Sequence, residues 1–245
     1  MDIGAFSDVG RVREGNEDSM LVVEPDGPRQ GQVVVAVADG MGGHNAGEVA
    51  SAIAVDSLRR VVEEAEPTLD ANELLTSGVS LGNRSIWDAA AEDVAKDGMG
   101  TTIVCAYLDE TGKVVIANVG DSRAYAYIEG QVHLVTADHT WVNEQVLAGF
   151  LSPSDARTSP YRNLLTRTLG NGPRVDVDVF TGLQLGDGDG LILVSDGVTG
   201  YLEESDFTSV LREADTAQAA AERLVREAVE RGGADNATAV VVRRR

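Results

Sequence analysis

Apolar runs that end or begin on an aspartate recur along this chain, and no other feature constrains its fold as much. Val33-Val34-Val35-Ala36-Val37-Ala38 runs into Asp39-Gly40, Leu191-Ile192-Leu193-Val194-Ser195 into Asp196-Gly197, and Val115-Ile116-Ala117-Asn118-Val119-Gly120 into Asp121. Asp235-Asn236 stands directly before the apolar stretch 237–242, and Glu17-Asp18 before 19–24. Short apolar runs bounded by turn residues read as buried strands. Each therefore carries a carboxylate at its end, and the glycines after Asp39 and Asp196 permit a sharp turn or a close backbone approach. A single Asp-Gly after a strand is most often only a turn. Asp187-Gly188-Asp189-Gly190 reads that way, and it fails as a calcium loop because Leu191 stands fifth and the later acid is missing. What matters is the coincidence of several such ends.

Carboxylates gathered at the ends of core strands repel one another and raise each other's pKa. Few Lys or Arg lie near them in sequence, so the compensating charge is expected from hard divalent cations with oxygen ligands, Mg²⁺ or Mn²⁺. Several Asp with no Cys and no His pair form the ligand set for two such ions rather than for zinc. Arg13, a few positions before Glu17 and Asp18, suits a clamp for a phosphate or carboxylate, because its fork matches two oxygens. A surface ion pair with a nearby acid is the plainer reading of Arg13.

The chain has 245 residues, no repeat and no Pro- or Ser-rich linker, which favours one domain over 1–245. Strands are expected around 3–7, 19–24 and 32–38. A helix follows from about Ala46, with Ala50, Ile53, Ala54, Leu58, Val61 and Val62 on one face. A second spans 71–95 with Leu75, Val79, Ile86, Ala90 and Val94 inward. Runs at 101–108, 114–119, 124–128 and 132–136, joined by turns at 109–112 and 129–130, read as an antiparallel meander. Strands resume near 175–180 and 191–194. A helix with Ala217, Ala220, Ala221, Leu224, Val225, Ala228 and Val229 on one stripe and a strand at 238–242 close the fold. Grouped hairpins and paired helices give an α+β class, not a doubly wound sheet.

The formal charge of −20 argues against a nucleic-acid binder. The longest apolar run, at 33–38, is far short of the roughly 18 residues of a membrane helix. Met1-Asp2-Ile3-Gly4 shows no basic and apolar leader, so no secretory signal is expected. One cysteine, Cys105, excludes a disulfide framework and reads as a core residue. There is no P-loop, no H-E-x-x-H and no G-x-S-x-G elbow. His133 reads as structural, while His44 and His139 follow glycine-rich or acidic turns and are weaker candidates to line a site.

Six motifs in order resemble one family across nearly the whole chain: Ser7-Asp8-x-Gly10-x-Val12-Arg13-x-x-Asn16-Glu17-Asp18, Ala38-Asp39-Gly40-Met41-Gly42-Gly43-His44, Gly98-Met99-Gly100-Thr101-Thr102, Gly120-Asp121-Ser122-Arg123, Ser195-Asp196-Gly197 and Asp235-Asn236-Ala237-Thr238. Together they resemble the metal-dependent protein serine/threonine phosphatases, the PPM or type 2C family, in its bacterial form. The resemblance implies a four-layer α-β-β-α sandwich, two antiparallel sheets flanked by helix pairs. It implies that Asp39 bridges two ions, that the Gly40 carbonyl binds one of them, and that Asp196 and Asp235 complete the other's shell. Glu17 would act through bound water, Asp18 would support the cluster, and Asp121 would bind a weaker third ion with Asp196. Arg13 would hold the substrate phosphate while a metal-bridging hydroxide attacks phosphorus.

The chain departs from the family pattern in three places. Asp196-Gly197-Val198-Thr199-Gly200 lacks a second Asp, Ser159-Pro160 replaces His-Pro in the flap expected at 138–170, and Met41 stands where eukaryotic relatives place His. The implied function is hydrolysis of phosphoserine and phosphothreonine in proteins with Mn²⁺ or Mg²⁺. Implied partners are phosphoproteins, with serine/threonine kinases among them, but no nucleic acid and no membrane segment. A monomer is expected, either cytoplasmic or the cytosolic domain of a longer membrane protein for which Arg243-Arg244-Arg245 would precede the anchor. The alternatives are a non-catalytic binding module on the same fold, which would follow from loss of a core ligand, and a phosphatase for a small phosphoester.

Overall fold

The computed structural model describes residues 1–42, 46–66, 68–93, 96 and 98–244. The chain runs β1 (Asp2–Asp8), β2 (Asp18–Val23), β3 (Val33–Met41), α1 (Ala46–Glu64), α2 (Ala71–Glu92), β4 (Gly100–Thr101), β5 (Ile103–Leu108), β6 (Lys113–Val119), β7 (Arg123–Ile128) and β8 (Gln131–Leu134). It continues α3 (Trp141–Leu147), α4 (Pro153–Thr158), β9 (Asp178–Gln184), β10 (Gly190–Val194), α5 (Asp196–Thr199), α6 (Glu204–Glu213), α7 (Ala217–Arg231) and β11 (Ala237–Arg243). One sheet has the order β1-β11-β10-β7-β8; the other is β2-β3-β5-β6-β9, with β4 against the end of β3. All pairings are antiparallel.

Strand β3 shows why the apolar runs lack polar alternation. Val33, Val35 and Val37 meet Leu191, Leu193, Val240 and Val242 of the facing sheet. Val34, Ala36 and Ala38 pack instead under Ala50, Ala54, Leu58, Leu75 and Val79 of α1 and α2. A strand buried on both faces needs apolar residues at every position. On the far side, Phe207 and Val210 of α6 and Leu224 and Ala228 of α7 cover Ile192, Val194, Ala239 and Val241. The four expected layers, helix pair, sheet, sheet, helix pair, are present.

Residues 101–136 are not one meander. β5 and β6 pair in one sheet, β7 and β8 in the other, and the chain crosses between sheets at Gly120-Asp121-Ser122. Gly120 has φ +108°, and a Cβ there would lie 2.5 Å from Thr102 Cγ2. Both turns do form as read: Asp109 Oδ1 accepts from Thr111 N at 2.9 Å, and Glu129 and Gly130 take φ of 50° and 83°. Period-2 patterning locates strands and hairpins but carries no information on which sheet receives them. The run at 101–108 breaks at Thr102, the strand expected at 175–180 is Asp178–Gln184, and the second helix ends at Glu92. Val94, placed on its inward face from the sequence, lies outside the described residues.

The register gathers the acidic ends. Asp18 and Asp39 are directly opposite across β2 and β3. Val194 pairs with Ala239 and with Arg123, which brings the end of β10, the start of β11 and the β6–β7 corner together. Asp18, Asp39, Asp121, Asp196 and Asp235 therefore stand at one end of the sandwich.

Candidate metal centre

Asp18 and Asp39 are set by the strands that carry them, and the other carboxylates by the turns at strand ends. The Asp39 backbone is pinned by two threonines: its N–H donates to Thr102 Oγ1 at 3.0 Å, and its carbonyl accepts from Thr101 Oγ1 at 2.8 Å and Thr102 N at 2.9 Å. Asp18 Oδ2 accepts from Ser195 Oγ at 2.8 Å and Thr238 Oγ1 at 2.6 Å, while its Oδ1 is buried without a partner. Asn236 holds the approach of the chain to β2: its Oδ1 accepts from Glu17 N at 2.8 Å, and its Nδ2 donates to Val9 O and Gly15 O. Gly40 is forced, since a Cβ there would overlap the Gly47 carbonyl of α1 and lie 2.6 Å from Glu17 O. Gly47 in turn leaves room for the Glu17 carboxyl, whose Cδ a Cβ would approach to 2.8 Å.

Burial is the main force raising these carboxyls, and mutual repulsion adds to it. Asp18 is pushed up to about 7 by burial, against the Thr238 and Ser195 hydrogen bonds, with Asp196 and Asp235 repelling it. Asp121 is pushed up to about 7 by burial and by Asp196 and Asp138. Asp39 rises well above its ordinary range by burial and by Asp18, Asp196, Asp121 and Asp235. Asp196 rises through burial and Asp235 while a hydrogen bond from Asp39 holds it down. Glu17 rises by burial, with Arg13 opposing. The arginines that offset this charge are already engaged. Arg13 Nη2 meets Asp235 Oδ2 at 2.7 Å, with both side chains well exposed, and Arg123 makes a two-point contact with Asp138 at 2.8 and 2.6 Å.

Among the described residues no group of three or more His, Cys, Asp or Glu side chains is arranged to hold a metal ion as it stands. Asp18 turns instead to the Ser195 and Thr238 hydroxyls. The donor chemistry nonetheless fits hard cations. It is all oxygen, several-fold acidic and partly buried, it is under-neutralised by arginine, and it leaves the buried Asp18 Oδ1 unsatisfied.

All eight residues singled out from the sequence, Arg13, Glu17, Asp18, Asp39, Gly40, Asp121, Asp196 and Asp235, lie at this end. The hydroxyls and amide that fix them, Thr101, Thr102, Ser122, Ser195, Asn236 and Thr238, stand within the quoted motifs but carry no role that the sequence reveals. The loop without the second Asp is held as one helical turn, α5, by Gly200 N donating to Asp196 O at 2.7 Å. His133 is exposed on β8, His139 is buried beside Gly120, and His44 lies outside the described residues.

The Protein phosphatase 2C family model matches residues 13–231. The serine/threonine phosphatase stp of Listeria monocytogenes is 38% identical over 241 residues, 97% of this chain and 94% of that protein. The S. agalactiae serine/threonine phosphatase structure superposes with a TM-score of 0.90 at 32% identity, covering 100% of this chain and 99% of the other. The catalytic domain of the serine threonine protein phosphatase PstP, solved in complex with 2 manganese ions, gives 0.81 at 32% identity over 98% and 96%.

Proposed function

The chain belongs to the protein phosphatase 2C family, and on that premise we propose that its acidic end hydrolyses phosphoserine and phosphothreonine in proteins with Mn²⁺ or Mg²⁺. The observation that carries this reading is the set of five aspartates at one end of the sandwich, with Asp18, Asp39, Asp121 and Asp196 raised by burial and by neighbouring carboxylates, beside an arginine open to solvent. Asp39, the Gly40 carbonyl, Asp196 and Asp235 would hold two cations, with Glu17 contributing through water and Asp121 and Asp196 taking a weaker third. Bound divalent cations supply a water of lowered pKa and stabilise charge developing at phosphorus.

The rest is done by the chain. Arg13 keeps one nitrogen on Asp235, which leaves the remaining guanidinium donors to take phosphoryl oxygens. Asp18, fixed by Ser195 and Thr238, holds the floor of the site in place. No thiol competes as nucleophile, since Cys105 is buried within β5 and its thiol is pushed up to about 12. The segment 138–170 is proposed as a flap on a single catalytic domain, 1–245. Its Leu147 and Phe150 are 76% and 82% exposed, which suits a polypeptide better than a small metabolite. Serine/threonine kinases are proposed among the partners, and a cytoplasmic monomer is the proposed setting. Among the described residues no helix is long and apolar enough to cross a membrane.

The test is turnover of a phosphothreonine peptide and a sugar phosphate with Mn²⁺, with Mg²⁺ and with EDTA. Metal-dependent turnover with kcat/KM about tenfold or more in favour of the peptide is expected. Activity that survives EDTA, or a preference for the sugar phosphate, contradicts the reading.

A further inference from the structure

His139 holds Gly120 from both sides. Its ring Nδ1 accepts from Gly120 N at 2.9 Å, and its own backbone N–H donates to Gly120 O at 3.0 Å. Gly120 is the residue before Asp121, at the corner where the chain crosses between sheets. Its left-handed backbone, φ +108°, is one for which few other residues are suited.

The ring is fixed in turn. Because Nδ1 accepts, the ring proton sits on Nε2, where Asp178 Oδ2 receives it at 3.1 Å. Arg167 Nη1 lies 3.0 Å from the same Nε2, but a guanidinium only donates, so this is contact rather than a hydrogen bond. Arg167 bonds Asp178 Oδ1 at 2.5 Å and Asp176 O at 3.3 Å. It thereby fixes the carboxylate that fixes the imidazole. Asn118 on β6 adds Nδ2 contacts to Gly120 O and Ala137 O, both at 3.3 Å.

These residues come from separate stretches of chain. His139 and Arg167 lie near the two ends of 138–170, Asp178 opens β9, and Gly120 directly follows β6. His139 O also accepts from Thr166 N at 2.9 Å, which ties the two ends of that segment together. On the other side of Gly120, Ser122 Oγ meets Thr102 Oγ1 at 2.7 Å, and Thr102 Oγ1 accepts from Asp39 N. Hydrogen bonds from the base of the segment thus hold Gly120 on one side of Asp121, and those of Ser122 on the other side lead through Thr102 to the Asp39 backbone.

We propose that His139, oriented by Asp178 and Arg167, is a positioning residue that clips Gly120 and so sets the Asp121 carboxylate, fastening the base of 138–170 to the acidic centre. It touches no reacting atom; its effect passes through Gly120. The proposal rests on the reading of Asp121 as a ligand of the weaker cation.

Three variants separate the two ends of the imidazole. In His139→Asn the side-chain oxygen stands near the Nδ1 position and can still accept from Gly120 N. His139→Gln reaches toward Asp178 but offers nothing at the Nδ1 position, and Asp178→Ala, at a partly exposed site, removes the orienting carboxylate. Two readouts apply, amide exchange at Gly120 in metal-free protein and calorimetric Mn²⁺ binding. Wild type and His139→Asn are expected to protect Gly120 N–H and bind Mn²⁺ alike to within a few-fold. His139→Gln is expected to lose the protection and weaken the weakest Mn²⁺ step by about tenfold, the low end of what a lost ligand-orienting partner costs. Asp178→Ala falls between. Equal Gly120 protection in all four proteins overturns the clip, and loss of protection with an unchanged Mn²⁺ isotherm overturns its role. Asp121→Ala is the control. If it leaves every Mn²⁺ step unchanged, the reading of Asp121 fails, while the exchange data still decide the clip.

Discussion

Asp39, Asp196 and Asp235 were legible as a group because each closes or opens an apolar run, and a charge at the end of a buried strand is conspicuous. The hydroxyls that position them were not. Ser195 and Thr238 reach Asp18 across sequence separations of 177 and 220 residues, and nothing in a lone Ser or Thr on a strand announces such a partner. Arg13 was legible as a cation beside acids, and the structure gives it a definite partner in Asp235 with part of the guanidinium still open. Loss of a charge-assisted contact costs about 1.5–3 kcal/mol, so Arg13→Ala should lower kcat/KM for a phosphopeptide by roughly 10- to 150-fold. Because its ion pair is well exposed, the same change should move stability by less than about 1 kcal/mol. Steady-state kinetics beside a urea titration checks both halves.

At the scale of elements, strands and hairpin turns were readable from alternation and turn residues, and the long helices from their stripes. The assignment of β5–β6 and β7–β8 to different sheets was not, since the crossing depends on one glycine packed against Thr102. Helix α6 leaves no legible stripe in the sequence because its buried face is only Phe207, Val210 and Leu211, too few residues to mark a helical period. The junction of β3 with α1 shows packing overriding propensity. Replacing a helical glycine by alanine normally stabilises by up to about 1 kcal/mol. At Gly47 the new Cβ would sit 2.8 Å from Glu17 Cδ and 2.9 Å from Gly40 C, and such overpacking costs about 1–3 kcal/mol. Gly47→Ala should therefore lower the denaturation midpoint, with the loss extending to metal affinity as Glu17 is displaced. An unchanged or raised midpoint would contradict the contact.

For the whole molecule, the acidic centre is a site of stored repulsion in a chain that already carries a charge of −20. Asp18 and Asp121 sit at about 7 in the fold, against 3.8 ordinarily. A carboxyl with a raised folded pKa takes up its proton more readily folded than unfolded. Its contribution to stability is therefore complete below pH 3.8 and is lost as pH rises through about 7. Metal-free protein should lose thermal stability across that window from this centre, and saturating Mn²⁺ or Mg²⁺ should restore it at the upper end. Melting curves in EDTA and in excess cation measure this directly. A metal-free melting temperature that rises toward pH 7, with no response to cation, would show that the carboxylates do not repel as described.

The central claim is that these carboxylates, raised by burial and mutual repulsion when alone, give up protons in exchange for divalent cations. Calorimetric titration of Mn²⁺ into wild type and Asp39→Asn near neutral pH, repeated in buffers of different ionisation enthalpy, tests it most directly. At least one tight binding step with net proton release is predicted for the wild type, and loss of that step in Asp39→Asn. Tight binding that persists in Asp39→Asn, or binding without proton release, would contradict it.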